Sequence, residues 1–229
     1  MLKKSSSSRG LLKTVIVRAL LAFIFMLAIF FLPAGTFDYW QAWLYLAVLF
    51  IPMSLMLAYF LKNDPVFLER RMRYKEKEQE QKWIIAFSYL PFGLAFVLPA
   101  LDKRFGWSSV PDGLVIAADL LVFLGYFITI LVFRETRYAS RIVEVEEEQS
   151  VISSGPYSIV RHPMYSGVAL MYIFTPLALG SYWSIIPALF IIPVLAARLL
   201  NEEKVLKHGL KGYAEYMLKT RYRLLPGIW

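Results

Sequence analysis

Residues 155–167 read GPYSIVRHPMYSG. This short stretch holds Arg161, Tyr157, Tyr165 and one of only two histidines in the chain, set between two prolines and two glycines. Pro156 and Pro163 each lack a backbone donor and push the residue before them, Gly155 or His162, out of helical geometry. The pattern predicts a helix that starts at His162, with Pro163 in its first turn, where proline is tolerated. Free N–H groups and a partial positive charge at such a start suit an anionic group on a ligand. Without further context, His162 reads equally as a cap and the tyrosines as interfacial aromatics.

A second polar group lies beyond a long apolar run. Arg198 and Glu202 are four residues apart and share a helical face, with Glu203 on the adjacent one. Arg198 is the single charge in residues 165–200. Two readings stand here. Arg198 snorkels to the interface and pairs with Glu202, or it binds an anionic or polar acceptor at the lipid–water boundary. Glu202 and Glu203 could accept from sugar hydroxyls or neutralise a cationic ligand.

The elements that hold these residues are apolar helices. The chain has 229 residues, 58% of them hydrophobic, and a mean hydropathy of +0.53. That is far more apolar than a soluble domain and leaves room for one bundle of membrane helices. The absence of cysteine excludes disulfides, thiolate nucleophiles and cysteine metal sites. Two histidines make a multi-histidine metal site a poor fit, so no metal is expected. The net charge of +8 is better matched to anionic lipid headgroups than to nucleic acid.

In chain order, residues 1–10 form a basic, serine-rich tail, read as retained rather than cleaved. Residues 15–32, 42–61, 83–101 and 113–133 are four predicted spans, Asp119 lying near the outer end of the fourth. Residues 69–82 are predicted to form a solvated surface helix. Residues 134–154 leave the membrane, and alternation near Val143 permits a short strand or an extended loop. Residues 165–200 are too long for one span. Pro176, Gly180 and Pro187 divide them into a tight helical hairpin turning near 180–183. The expected fold is therefore all-α, a polytopic membrane protein of about six transmembrane helices. Its last two form the hairpin, and a polar C-terminal region follows on the cytoplasmic side, the region to which the family resemblance below assigns cofactor binding. Of 25 lysines and arginines, only Lys103 and Arg104 fall on the predicted outer side. That asymmetry predicts both termini in the cytoplasm. The short, compact chain suggests a bacterial cytoplasmic membrane. Such a hairpin brings His162 and Tyr165, at its entry, close to Arg198, Glu202 and Glu203, at its exit.

Several motifs occur together: GPY-x-x-x-RHP-x-Y-x-G, about thirty apolar residues, R-x-x-x-EE-x-x-L, GY-x-x-Y and a YRLLPGIW tail. The combination resembles the isoprenylcysteine carboxyl methyltransferase family, whose core the phospholipid N-methyltransferases share. The resemblance covers residues 143–229. It divides the chain into residues 1–142, membrane helices and a loop on the acceptor-access side, and residues 143–229, a methyltransferase core. It implies S-adenosylmethionine as methyl donor and a lipid-like or small apolar acceptor, a carboxylate among the candidates. Arg161, His162, Pro163, Tyr165, Gly167, Glu202 and Glu203 match the family's cofactor-binding motif. Arg198 matches its catalytic, acceptor-positioning arginine, and Tyr213, Tyr216 and Arg223 match the tail that folds over the site. Phospholipid N-methylation and thiol S-methylation are the alternative activities. An NADPH-dependent membrane reductase and a non-catalytic transporter rank lower.

Overall fold

The computed structural model describes residues 8–71, 79–136 and 149–229. Among these the chain is helical and contains no strand. The helices are α1 (Ser8–Ala34), α2 (Trp40–Asn63), α3 (Pro65–Arg71), α4 (Gln79–Phe105) and α5 (Asp112–Glu135). A 3-10 turn at Gly155–Ser158 precedes α6 (Pro163–Ala178), α7 (Ile185–Leu189), α8 (Ile191–Gly209) and α9 (Tyr213–Lys219). The segment around Val143, open between strand and loop from its sequence, lies outside the described residues, as does the centre of the expected 69–82 surface helix.

Five helical stretches are long and apolar enough to cross a membrane: Gly10–Ala34, Trp40–Asn63, Gln81–Phe105, Asp112–Glu135 and Ile185–Gly209. Against the expected count of about six, five are thus found among the described residues. The first arm of the hairpin falls short because Pro163 opens α6 and Gly180 closes it, leaving 16 residues. At 1.5 Å per residue that is about 24 Å, less than a hydrocarbon core of about 30 Å. Large apolar side chains face outward along the bundle, Leu55 at 67% exposed and Phe87 at 75%. A surface of this kind is stable in lipid rather than in water.

The hairpin itself is present, and its turn has a local cause. Gly180 adopts φ +74°, open to glycine without steric cost. Gly180 N–H donates to Leu177 O and Ser181 N–H to Pro176 O, the paired bonds of a Schellman ending. After the turn the helix is interrupted at Phe190, between α7 and α8. Pro193 explains this, because it lacks the N–H that would bond Leu189 O and crowds that carbonyl.

Three bends meet at this end of the bundle. The Tyr39 hydroxyl donates to Leu179 O (2.6 Å). Ser181 Oγ donates to Asp102 Oδ2 (2.5 Å), and Asp102 also accepts from Ser108 N–H and Oγ. Ser184 Oγ donates to Ala95 O (2.6 Å), fastening the start of α7 to α4. Phe30, Tyr39, Tyr45, Phe96 and Val122 form the largest buried cluster beside these bends. A second cluster at the opposite end joins Leu11, Val15, Phe60, Phe67 and Phe133. Asp119 is buried more deeply than its sequence position suggested. It is 3% exposed between the α5 core residues Ala118 and Val122, and among the described residues neither carboxyl oxygen has a hydrogen-bond partner.

The closest approach in the bundle is between α5 and α6. A Cβ at Gly125 would stand 2.5 Å from Gly167 O, and one at Gly167 would stand 2.5 Å from Gly125 O. Glycine on both helices lets their backbones touch, the small-residue packing typical of membrane helices. The contact fixes the axial position of α6 and therefore of the polar residues at its start.

Candidate functional site

The polar residues collect at the open end of the hairpin. His162 is the N-cap of α6, with φ −126° and ψ 61°, and Pro163 is in the first turn, as the sequence predicts. Two backbone bonds hold this start in place. Arg161 N–H donates to Tyr222 O (2.9 Å) and His162 N–H donates to Arg223 O (3.0 Å). The tail thus runs back alongside residues 161–162, and Ser166 Oγ adds a bond to Leu224 O (2.7 Å). The tail closes on itself, since Trp229 O accepts from the N–H groups of Arg223, Leu224 and Leu225.

Glu203 is the hub of the buried charges. Its Oε1 accepts from Arg161 Nε (2.7 Å) and faces His162 Nε2 at 3.4 Å; its Oε2 accepts from Arg223 Nε (3.0 Å). Glu203 is only 2% exposed. Arg161 Nη1 donates further to the carbonyls of Thr220 and Arg221 at 2.9 and 2.7 Å. This ion cluster ties α6, α8 and the tail together.

Glu202 takes a different direction. The Tyr165 hydroxyl donates to Glu202 Oε2 (2.6 Å) and accepts from Arg198 Nε (3.1 Å). Tyr165 therefore bridges the two α8 residues that the sequence set four apart. Gln81 anchors the same part of α8 from the other side. Its Nε2 donates to Arg198 O (3.0 Å) and to Asn201 Oδ1 (2.8 Å), and its side chain is fully buried. The sequence reading missed Gln81, assigning it to a solvated helix, because charged neighbours surround it and no apolar period marks it.

A cavity of about 640 Å³ opens onto this end of the hairpin. Arg161, His162, Tyr165, Arg198, Glu202 and Tyr213 line its polar end. Ile84, Ile85, Val168, Val194 and Leu195 line its apolar part, supplied by α4, α6 and α8. Of the expected site residues, Pro163 and Tyr216 also reach the cavity wall. Glu203, Gly167 and Arg223 do not line it. Glu203 and Arg223 stand behind the wall in the ion cluster, and Gly167 faces α5.

Tyrosines outside the membrane helices close the site from the tail side. Tyr216 Oη donates to Tyr157 O (2.7 Å), and Tyr213 Oη lies 3.5 Å from His162 Nε2. Burial raises the Tyr213 phenol well above its ordinary range, and the nearby Glu203 and Glu202 add to the effect. Burial, then Glu202, likewise raises Tyr157. Burial pushes Tyr216 up to about 12 against a lowering contact from Thr220. All three are neutral hydrogen-bonding groups near pH 7.

The described residues thus form an apolar helical bundle, with five stretches long and apolar enough to cross a membrane and a cavity whose polar end lies at the open end of the hairpin. Residues 114–212 match the family model described as phospholipid methyltransferase. The match opens near the start of α5, includes the hairpin and stops at the turn before α9. No curated protein matches the chain.

Proposed function

We propose that the protein transfers a methyl group from S-adenosylmethionine to a lipid-like acceptor at the membrane surface. The observation that carries this reading is the continuity of the cavity: a charged, hydrogen-bonding end and an apolar trough share one volume. A polar donor and an apolar acceptor can meet there without either leaving its preferred solvent. The volume is within the range of about 300–1,000 Å³ usual for small-molecule sites.

The lining chemistry fits the donor. Glu202 is an acceptor for sugar hydroxyls, and Arg161, His162 and the first turn of α6 offer donors to a carboxylate. S-adenosylmethionine, when bound, supplies a methyl group already activated by a sulfonium. The residues of the chain need only hold the acceptor in line, exclude water and match the charge change. Arg198 is assigned to orienting the acceptor. Tyr165 is assigned to holding Arg198 and Glu202 in register. Glu203 acts through Arg161 and His162 and is a positioning residue. Tyr213, Tyr216 and Arg223 belong to the tail that covers the site.

The acceptor carries either a carboxylate, as in isoprenylcysteine, or an amine, as in a phospholipid headgroup. The family description favours the phospholipid, and the RHP and EE motifs are equally compatible with both. A carboxylate attacks without losing a proton, whereas an amine must give one up. The distribution of lysine and arginine supports a cytoplasmic position for the site end.

Calorimetric titration of S-adenosylmethionine and S-adenosylhomocysteine into the purified protein in lipid nanodiscs tests the reading. Saturable binding is expected, weakened in His162→Ala and in Glu202→Gln. Absence of binding by folded wild-type protein overturns it.

A further inference from the structure

We infer that the apolar trough takes a single hydrocarbon chain of the acceptor and that Phe92 and Tyr172 measure its length. The inference rests on the methyltransferase reading only for calling the occupant an acceptor; the measuring wall is a property of the trough.

The trough has three walls, each a helical face descending from the polar end. On α8 it passes from Glu202 to Ile191, on α6 from Tyr165 to Tyr172, and on α4 from Ile84 to Phe92. At 1.5 Å per residue these faces run about 10–16 Å. Half of a bilayer's hydrocarbon core is about 15 Å. The trough therefore reaches as far as one leaflet of lipid tails.

Two of the faces, those of α4 and α6, end in aromatic rings. The Phe92 and Tyr172 rings lie 4.9 Å apart at 60°. Phe96 stands directly behind them, 5.0 Å from Phe92 and 6.2 Å from Tyr172, and is itself buried in the core. One turn below Phe92, Ala95 O accepts the bond from Ser184 Oγ, so α7 seals α4 beneath the aromatic floor. Phe92 and Tyr172 are the deepest residues that α4 and α6 give to the trough, and Phe92 is itself 37% exposed, so the rings end the trough along its axis while its side stays open. Tyr89, on the same face of α4, is 71% exposed, so the trough wall is open to lipid on that side. A second chain on the same acceptor can remain in the bilayer.

The floor is built to be tested. The probes are octanoate, dodecanoate and hexadecanoate, titrated into nanodisc-embedded protein and followed by the shift in melting temperature. Wild type is expected to gain stability with chain length up to a limit and nothing beyond it. Phe92→Ala is expected to move the limit to longer chains, with roughly tenfold tighter binding for every two methylenes newly admitted. Phe92→Trp is expected to move it to shorter ones. A limit that is absent, or unchanged in both variants, overturns the inference. S-adenosylhomocysteine binding is measured in parallel on the same samples. Its absence defeats the methyltransferase reading while the chain-length series still reports on the floor.

Discussion

Arg161 and Glu203 lie 42 residues apart in the chain, yet Nε of one donates to Oε1 of the other across 2.7 Å. Both are buried, and the same carboxylate serves His162 and Arg223. Removing its charge leaves the buried Arg161 guanidinium with only the carbonyls of Thr220 and Arg221, and takes the carboxylate from the partly exposed Arg223. Glu203→Gln is expected to destabilise the protein by roughly 3–5 kcal/mol, the usual cost of breaking a buried pair. Thermal melts in nanodiscs measure this directly. A melting temperature equal to wild type contradicts the account of Glu203 as the hub.

Tyr165→Phe keeps the ring and removes one oxygen. That oxygen links Arg198 to Glu202. A folded variant is expected, with methyl-donor affinity or turnover reduced about tenfold, the scale of one lost charge-assisted hydrogen bond. Calorimetry and methyl transfer from labelled S-adenosylmethionine separate the two effects. Unchanged values in both would remove Tyr165 from the site.

Gly125 and Gly167 make a purely steric prediction. Alanine at either position meets a backbone oxygen at 2.5 Å and forces α5 and α6 apart. The expected loss is about 1–3 kcal/mol for each single change. The displacement also moves His162 and Tyr165, so donor binding is expected to weaken in Gly167→Ala although Gly167 touches no cavity.

Alkaline titration has a defined sign. Tyr157, Tyr213 and Tyr216 all have folded-state phenols raised above the unfolded value of about 10. Their contribution is fully present below pH 10 and is lost as the pH rises, through about 12 for Tyr216. Melting temperatures are expected to fall progressively between about pH 10 and 12. Tyr216→Phe is expected to flatten part of that fall, at the cost of the bond to Tyr157 O. An unaltered slope would show that Tyr216 is not protected from ionisation by folding.

The legible parts of the fold were those with local causes. Pro163 marked the start of α6 because proline belongs in a first turn, and His162 is its cap. Gly180 between apolar runs marked the hairpin turn. The hairpin in turn juxtaposed Tyr165 with Arg198 and Glu202, as its geometry required. Other features depend on what approaches from elsewhere. Spacing put Glu202 on the face of Arg198 and Glu203 on the adjacent one, but nothing local showed that the Glu203 face meets Arg161 and Arg223. Gln81 looks solvated beside its charged neighbours until α8 packs over it. The glycine pair becomes meaningful only when α5 meets α6. The length of the hairpin's first arm was not legible, because hydrophobicity runs on through 165–200 while α6 is confined between a proline start and a glycine stop.

The far end of the hairpin is held by Tyr39, Asp102 and Ser184 acting on three successive parts of the turn. These bonds fix the start of α7, and α8 follows after the break at Phe190. The other end is held as well, by Gln81 on Arg198 O and Asn201 and by the three partners of Glu203. The two helical pieces on either side of Phe190 are thus each moored at their outer ends, so the spacing between the turn and the polar residues is set from both sides.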